Sequence, residues 1–566
     1  MAALEPAAEA ALASLRDLDR QFADFVLSLG GSQDPAVWLG AALASHATQA
    51  GHTCLDLREV AGRAWALDEE DEGLAAGRAP ALEPWLEALR RSDAVGEPGA
   101  FRPLILTAAG RLYLHRYFEY ERRLAESLRS RTAGPAVALD RKVLARTWKA
   151  IENEVPLAPA QRRAAEAALE LPLAVISGGA GTGKTTVVAC VLRLLAAQPK
   201  KGPPLRVRLA APTGKAANRL KEQIRDYRGR IDPEGAIEAV LREEPATLHR
   251  LLGGAPGLSR FRHHAANPLA VDVLIVDETS MVDLALMARV VDALPAHARL
   301  VLIGDEDQLP PVEVGSVFGE ICAGLPGATI RLDRSWRFRE ESGIGALAES
   351  VRSGQPARRP AEPIDSSEPV AASPEDLAWI EPGPRDEPSD AMLARVDEGL
   401  AAYLEAVRAG GSPEEILKAF QRFRVLCVRR DGAAGVVTLN EAIETRLRRR
   451  GRLESGSGWY AGRPVMVTRN DYGLRLWNGE VGVTLRGEDG ALEVHFEGNG
   501  GETRRFAPGR LTHVETAFAL TVHKSQGSEF EDVLLVLPST PSRLMTRELL
   551  YTAVTRARAR LAIVGS

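Results

Sequence analysis

The chain has 566 residues, 45% of them apolar, a net charge of −5 at neutral pH and four cysteines. That length predicts three to four domains with ample material for buried cores, and the acidic balance argues against a protein that coats nucleic acid through an overall basic surface. Cys54, Cys190, Cys322 and Cys427 are scattered, which suggests neither a disulfide framework nor a zinc or iron–sulfur site. No apolar run nears the roughly 18 residues of a membrane span, and MAALEPAAEAALASL carries acids without a basic stretch, so a cytoplasmic chain with no membrane partner is expected.

Residues 1 to about 135 are rich in alanine, leucine and arginine with helical periodicity and few strand signals, predicting a helical domain. Its last part, YLHRYFEYERRLAESLRS, reads as an amphipathic helix leading onward. Next, LAVISGGAGTGKTTVVACVLRLL reads as an apolar strand, a glycine-rich turn and a helix. The run from Gly178 through Gly179, Ala180, Gly181, Thr182, Gly183, Lys184, Thr185 and Thr186 fits G-x-x-x-x-G-K-[ST]. Backbone N–H groups and the helix N-terminus suit a nucleotide's phosphates there, Lys184 reaches the β/γ-phosphates, and Thr185 offers a hydroxyl to Mg²⁺.

A second apolar strand, VDVLIV, ends in Asp277 and Glu278. At the carboxyl end of a parallel strand the first acid suits Mg²⁺ and the second suits polarising the attacking water. A third strand, RLVLIG, leads to Gln308, whose amide both donates and accepts and so can report on a γ-phosphate. His263 and His264, in GAPGLSRFRHHAANPL, have no cysteine or acid at ligand spacing, and a metal reading is rejected. Residues 353–390 are proline- and acid-rich and predict a loop excursion. The basic run RLRRRGR at 446–452 fits a solvated helix end better than a phosphate contact. From GWYAGRPVMVTRNDYG to RRFAPGRLTHVETAFAL, apolar and polar residues alternate between glycine and asparagine turns, predicting short antiparallel strands. The chain closes on YTAVTRARA. A phosphate loop in one domain and an arginine from another can open and close the cleft between them, as a motor requires.

GGAGTGKTT, APTGKAA, TLHRLL, VDETSM, GDEDQLPPVEVG, LDRSWRF, TVHKSQGSEF and LLYTAVTRARA occur in this order. Together they resemble the ordered motifs of superfamily 1 DNA helicases, and more narrowly the RecD family, the alpha subunits of the bacterial exonuclease V (RecBCD) complex. The likeness runs from about Leu157 to the C-terminus, and LDRQFADFVLSLGG with AVWLGAALASHATQAGHTCLDL resembles the RecD amino-terminal region.

The resemblance implies an α/β fold with two RecA-like P-loop motor domains, at 136–352 and 353–566, after a helical N-terminal domain at 1–135 that meets partners. It also implies a small β insertion near 253–269 and a small β-barrel inserted in the second motor domain at about 455–515. It implies ATP and Mg²⁺ as cofactors, Thr185 and Asp277 as metal ligands, and Gln161, Gly527 and Glu529 at the nucleotide. Arg337 and Arg556 match the arginines that reach the γ-phosphate, completing a catalytic set with Lys184, Asp277, Glu278 and Gln308.

For DNA the matching positions are Pro212, Thr213, Lys215, Thr247, His249, Thr521, His523 and Lys524, with Trp477 and Asn478 at a hairpin turn. Small donors at strand ends suit contacts that slide along a backbone. Structural roles fit several of them too: Gln161 as a polar residue on an amphipathic helix, Thr213 as a cap, His249 as a helix histidine and Trp477 as a packed tryptophan.

The expected function is a 5′ to 3′ DNA translocase subunit working with RecB-like and RecC-like partners at DNA ends. No nuclease constellation is present, so that chemistry belongs to a partner. Two other readings stand beside it: a regulatory nucleotide-binding subunit that does not unwind, and a self-sufficient RecD-like helicase.

Overall fold

The computed structural model describes residues 15–31, 33–65, 77–199, 205–232, 234–254, 260–339, 341–355, 376–454, 458–471, 473–498, 502–540, 542 and 544–565. Two all-parallel sheets dominate it. The first has six strands in the order Thr329–Leu332, Leu173–Gly178, Arg299–Gly304, Val273–Val276, Val207–Ala211 and Ala246–Thr247. Its central strands read as unbroken apolar runs because both faces are covered. Ala174 and Ile176 face one core with Val187, Val191 and Ile224, while Leu173 and Val175 face another with Met287, Val290 and Phe318.

The second sheet has five strands in the order Leu377–Ile380, Ala557–Val564, Phe530–Val536, Phe423–Cys427 and Ala519–Thr521, all parallel. It is sandwiched in the same way, with Val425 and Leu534 in one core and Leu426, Val533 and Leu535 in the other. The edge strand Leu377–Ile380 corrects the expectation of a loop throughout 353–390. Its LAWI sequence pairs beside Leu561–Val564 despite the surrounding prolines; residues 356–375 of that excursion lie outside the described residues.

The amino-terminal region is not purely helical. Helices Asp17–Gly30, Pro35–Gln49 and Leu82–Arg91 pack with a four-stranded sheet ordered Cys54–Asp56, Arg111–Leu114, Leu104–Leu106 and Val95–Gly96. Strands of two to four residues are too short to display an alternating pattern. The buried Trp85 fills this core and donates to the Ala36 carbonyl at 2.8 Å. The expected connecting helix spans His115–Thr132. Near its end the buried Arg131 donates to the carbonyls of Pro295 (3.1 Å) and Ala298, and Gly315 N–H donates to Gly51 O at 3.1 Å. Both contacts fasten the amino-terminal region to the first parallel-sheet unit.

Between the Val436–Arg449 helix and the Ala519–Thr521 strand lies the predicted antiparallel unit. Its order is Thr503–Phe506, Leu492–Glu497, Val481–Arg486, Pro464–Val467 and Val514–Thr516. Among the described residues the two outer strands do not pair with each other. Its own core holds Val465, Val467, Val494 and Phe496. Near 253–269 the described residues form only an isolated His264–Asn267 bridge rather than strands, and residues 255–259 lie outside the description. The 446–452 run is a helix end in which Arg446 pairs with Asp390 and Asp397, and Arg450 with Asp397. No helix of the described residues is long and apolar enough to cross a membrane.

Phe496 is fully buried in the inserted sheet, so Phe496→Ala should destabilise that unit by about 3–5 kcal/mol. A urea titration followed by the fluorescence of Trp459 and Trp477, which lie in it, should show an earlier transition.

Candidate active site

The Leu173–Gly178 strand delivers the chain to a turn that enters the Lys184–Ala197 helix. Gly181 (φ +74°) and Gly183 (φ +81°) take left-handed conformations, which only glycine adopts without strain. A side chain at Gly183 would strike the Gln161 amide, and one at Gly181 would strike Arg337. The Thr182 hydroxyl donates to Gly179 O at 2.9 Å. The Lys184 ammonium donates to Gly178 O (2.6 Å) and Gly179 O (3.1 Å). Those neutral acceptors can be exchanged for phosphate oxygens, which bind an ammonium more strongly.

Thr185 donates to Gln223 Oε1 at 3.0 Å, so its hydroxyl lone pairs remain for a cation, and Thr186 shares a hydrogen bond with the Tyr227 hydroxyl at 2.6 Å. Gln161 is buried; its Oε1 accepts from Ala158 N–H (2.8 Å) and its amide donates to Thr182 O (3.0 Å). In this arrangement it caps the start of its helix and braces the loop.

Asp277 and Glu278 follow the Val273–Val276 strand. Burial in the cleft, reinforced by the neighbouring Glu278 charge, raises the Asp277 carboxyl above the ordinary range. Glu278 sits at φ +50°, a left-handed position for a non-glycine residue, and such strain persists only where surroundings enforce it. Its N–H donates to Asp277 Oδ1 at 2.9 Å. Asp305 is buried and also raised by that burial; it accepts from the Gln308 amide at 2.7 Å. Leu309 N–H then donates to the Thr552 hydroxyl at 2.9 Å, linking this loop to the second sheet unit.

That unit supplies the opposite wall. Glu529 accepts from three guanidiniums: Arg219 at 2.5 Å, Arg337 at 2.6 Å and Arg558 at 2.7 Å. Burial alone would raise its carboxyl, but Arg219 and Arg337 hold it far below the usual carboxylate range. Arg337 also donates to Thr555 O at 3.0 Å. Arg556 is buried and donates to the carbonyls of Thr552 and Ser528, each at 3.0 Å. One cavity of about 390 Å³ is lined by Lys184, Thr185, Asp277, Glu278, Gln308, Arg337, Glu529 and Arg556 together with Gln161 and the glycine turn.

Arg219, Gln223, Tyr227 and Trp336 are among the lining residues absent from the sequence-based set. Helical spacing from Lys215 carried a signal for the first three. Trp336 is held by its N–H to Gly181 O at 2.8 Å. A smaller cavity of about 170 Å³ lies on the other side of the glycine turn, between Asp305–Asp307 and Arg352.

Most of the residues expected at nucleic acid follow the carboxyl ends of parallel strands, while Trp477 and Asn478 lie between the Pro464–Val467 and Val481–Arg486 strands of the inserted unit. Pro212 and Thr213 follow the Val207–Ala211 strand, and Thr247 is paired beside Ala211. Thr213 and Thr247 each cap a helix, accepting from Ala216 and Arg250 N–H at 3.2 Å. The His249 ring meets Phe261 edge-on at 5.7 Å. Trp477 packs on Gly214, where an added Cβ would lie 3.1 Å from the indole.

Within the second unit the Lys524 ammonium donates to Asn478 Oδ1 at 2.8 Å, and across the boundary to the first unit Lys215 donates to the Ser528 hydroxyl at 2.5 Å. Burial, and then the nearby Arg424, push the Lys215 ammonium down to about 8. Thr521 accepts from Lys524 N–H at 3.3 Å, and burial pulls the His523 imidazole below its ordinary value. Gly527 takes φ +71° just before the serine and glutamate that these contacts hold.

Comparison with known families gives three matches: the RecBCD enzyme subunit RecD N-terminal domain over residues 11–113, an AAA domain over 161–314 and a UvrD-like helicase C-terminal domain over 516–564. The RecBCD enzyme subunit RecD of Mycolicibacterium smegmatis is 40% identical over 563 residues, covering 98% of this chain and 93% of that one. Its counterpart in Mycobacterium tuberculosis (strain CDC 1551 / Oshkosh) is 38% identical, covering 97% and 90%. The ATP-dependent RecD2 DNA helicase of Deinococcus radiodurans is 32% identical, covering 81% of this chain and 56% of that one. A solved Pif1 helicase from Bacteroides in complex with ADP-AlF3 and ssDNA aligns at a TM-score of 0.37 and 16% identity, covering 76% of this chain and 92% of that one.

Because the folded chain holds the Asp277 proton more tightly than an unfolded one would, stability falls as pH rises from the ordinary carboxylate value through the raised one. The penalty is fully present at neutral pH. Asp277→Asn should therefore raise the melting temperature at pH 7 while abolishing ATP hydrolysis, read by thermal unfolding and phosphate release.

Proposed function

The chain belongs to the RecD family and is a RecD-like ATP-dependent DNA helicase; we propose that it translocates 5′ to 3′ along one strand at DNA ends during recombinational repair. On this reading it is cytoplasmic, RecB-like and RecC-like subunits are its partners, and the nuclease chemistry resides on one of them. The observation that supports the motor is the single cavity in which Lys184, Asp277, Glu278, Gln308 and Arg337 on the phosphate-loop side meet Arg556 from across the cleft. The match to the RecD N-terminal domain over 11–113 favours the subunit over the self-sufficient helicase.

The chemistry follows from the groups present. Lys184 trades its loop carbonyls for the β/γ-phosphates, and the left-handed glycines turn backbone N–H groups toward them. Mg²⁺, for which the Thr185 hydroxyl and the Asp277 carboxylate fit, neutralises phosphate charge when bound. Glu278 polarises the attacking water and Gln308 senses the γ-phosphate. Arg337 and Arg556 stabilise the charge that develops as the phosphoryl group leaves.

The two halves approach as those arginines engage phosphate and separate after hydrolysis. Thr213, Lys215, Thr247 and His249 on one half alternate their grip with Thr521, His523, Lys524, Trp477 and Asn478 on the other, which gives directional steps. The inserted antiparallel unit, an open five-stranded sheet among the described residues, stands in place of the expected small β-barrel of the second motor domain, and the two parallel sheets act as the RecA-like pair.

Forked DNA with either a 5′ or a 3′ single-stranded tail tests polarity at low salt, where phosphate contacts are strongest. Unwinding from the 5′ tail alone is expected, and unwinding from the 3′ tail would overturn the reading. Lys184→Gln should remove DNA-stimulated ATP turnover. Arg556→Ala should keep nucleotide affinity but lose about 10³-fold or more in hydrolysis, separated by equilibrium binding of a fluorescent ATP analogue and single-turnover rates.

A further inference from the structure

The helix Gly214–Ile231 begins at the Thr213 cap and carries Lys215, Arg219, Gln223 and Tyr227 four residues apart. Residues at that spacing lie along one helical face. Each of the four makes a polar contact outside the helix. Lys215 donates to the Ser528 hydroxyl at 2.5 Å. Arg219 donates to Gly527 O at 3.3 Å and pairs with Glu529 Oε1 at 2.5 Å. Gln223 accepts from Thr185 at 3.0 Å, and Tyr227 meets Thr186 at 2.6 Å. One rigid face therefore touches the 527–529 segment at one end and the start of the phosphate-loop helix at the other.

Arg219 and Arg337 share a single carboxylate oxygen, Glu529 Oε1, while Arg558 occupies Oε2. The position of Arg219 therefore sets how tightly Glu529 holds Arg337. Lys215 and Arg219 are one turn apart, so displacement of the 527–529 segment by a ligand at Lys215 or at the adjoining 521–524 segment is felt at Arg219 too.

We propose that Arg219 is a positioning residue that couples nucleic-acid contact to ATP hydrolysis, by sharing Glu529 with Arg337 and so governing the release of Arg337 toward phosphate. The proposal rests on the DNA-motor reading. Without Arg219, Glu529 retains Arg337 more firmly, and DNA contact no longer frees it.

The test measures ATP turnover of the full chain with and without single-stranded DNA, alongside equilibrium binding of a fluorescent ADP analogue. Arg219→Ala should lower the stimulation ratio about tenfold, a larger change than any shift in the ADP-analogue Kd. Arg219→Lys keeps the charge but replaces the planar guanidinium fork with a single point of donation, and should fall between; it carries the test if the alanine variant does not fold. Adding Glu529→Gln to Arg219→Ala should raise DNA-stimulated turnover above that of Arg219→Ala alone, because the trap for Arg337 is weakened. Unaltered stimulation in Arg219→Ala, a parallel loss of ADP-analogue affinity, or no recovery in the double variant would each overturn the proposal alone. A wild-type chain whose turnover DNA does not stimulate would overturn both the proposal and the motor reading.

Discussion

One carboxylate joins the two halves of this molecule. Glu529 is nearly buried and receives guanidinium groups from Arg219 on the first sheet unit, Arg337 beside the phosphate loop and Arg558 on the second unit. An isolated buried carboxylate would be costly, and its partners offset that cost only while they remain in place. The cluster therefore favours one relative placement of the two units. It also concentrates positive charge where a polyphosphate is expected, with Arg556 held close by through carbonyls alone.

The parallel sheets make that meeting possible. Strands buried on both faces are stiff, and their carboxyl ends all point to one edge, where ligand-binding crevices of such sheets form. Lys184, Asp277 and Gln308 follow three neighbouring strands of one sheet, so their spacing is set by strand separation rather than by loop conformation. Strain at Glu278 and the left-handed glycines are local costs that the deep apolar cores on either side offset.

Much of the fold was legible before the structure. The apolar runs of the phosphate-loop strand, of VDVLIV and of RLVLIG became strands because full burial leaves them a continuous apolar signature. The antiparallel insertion was legible from alternation. The amino-terminal sheet was not, since its strands of two to four residues are recruited by tertiary packing. Leu377–Ile380 was hidden by its prolines; only the exposed edge of the second sheet makes it a strand.

The phosphate loop, the acids at strand ends and the arginine segment could be read along the chain, because each is a local pattern whose chemistry needs a fixed spacing. Folding alone makes Gln161 cap a helix while bracing the loop, turns Lys215 to Ser528 within the boundary between the two units, and brings Arg219, Gln223 and Tyr227 into the same site. These depend on which helix face meets which loop across hundreds of residues, and that is set by where the Gly214–Ile231 helix lies between the phosphate-loop helix and the 527–529 segment, which no local spacing records.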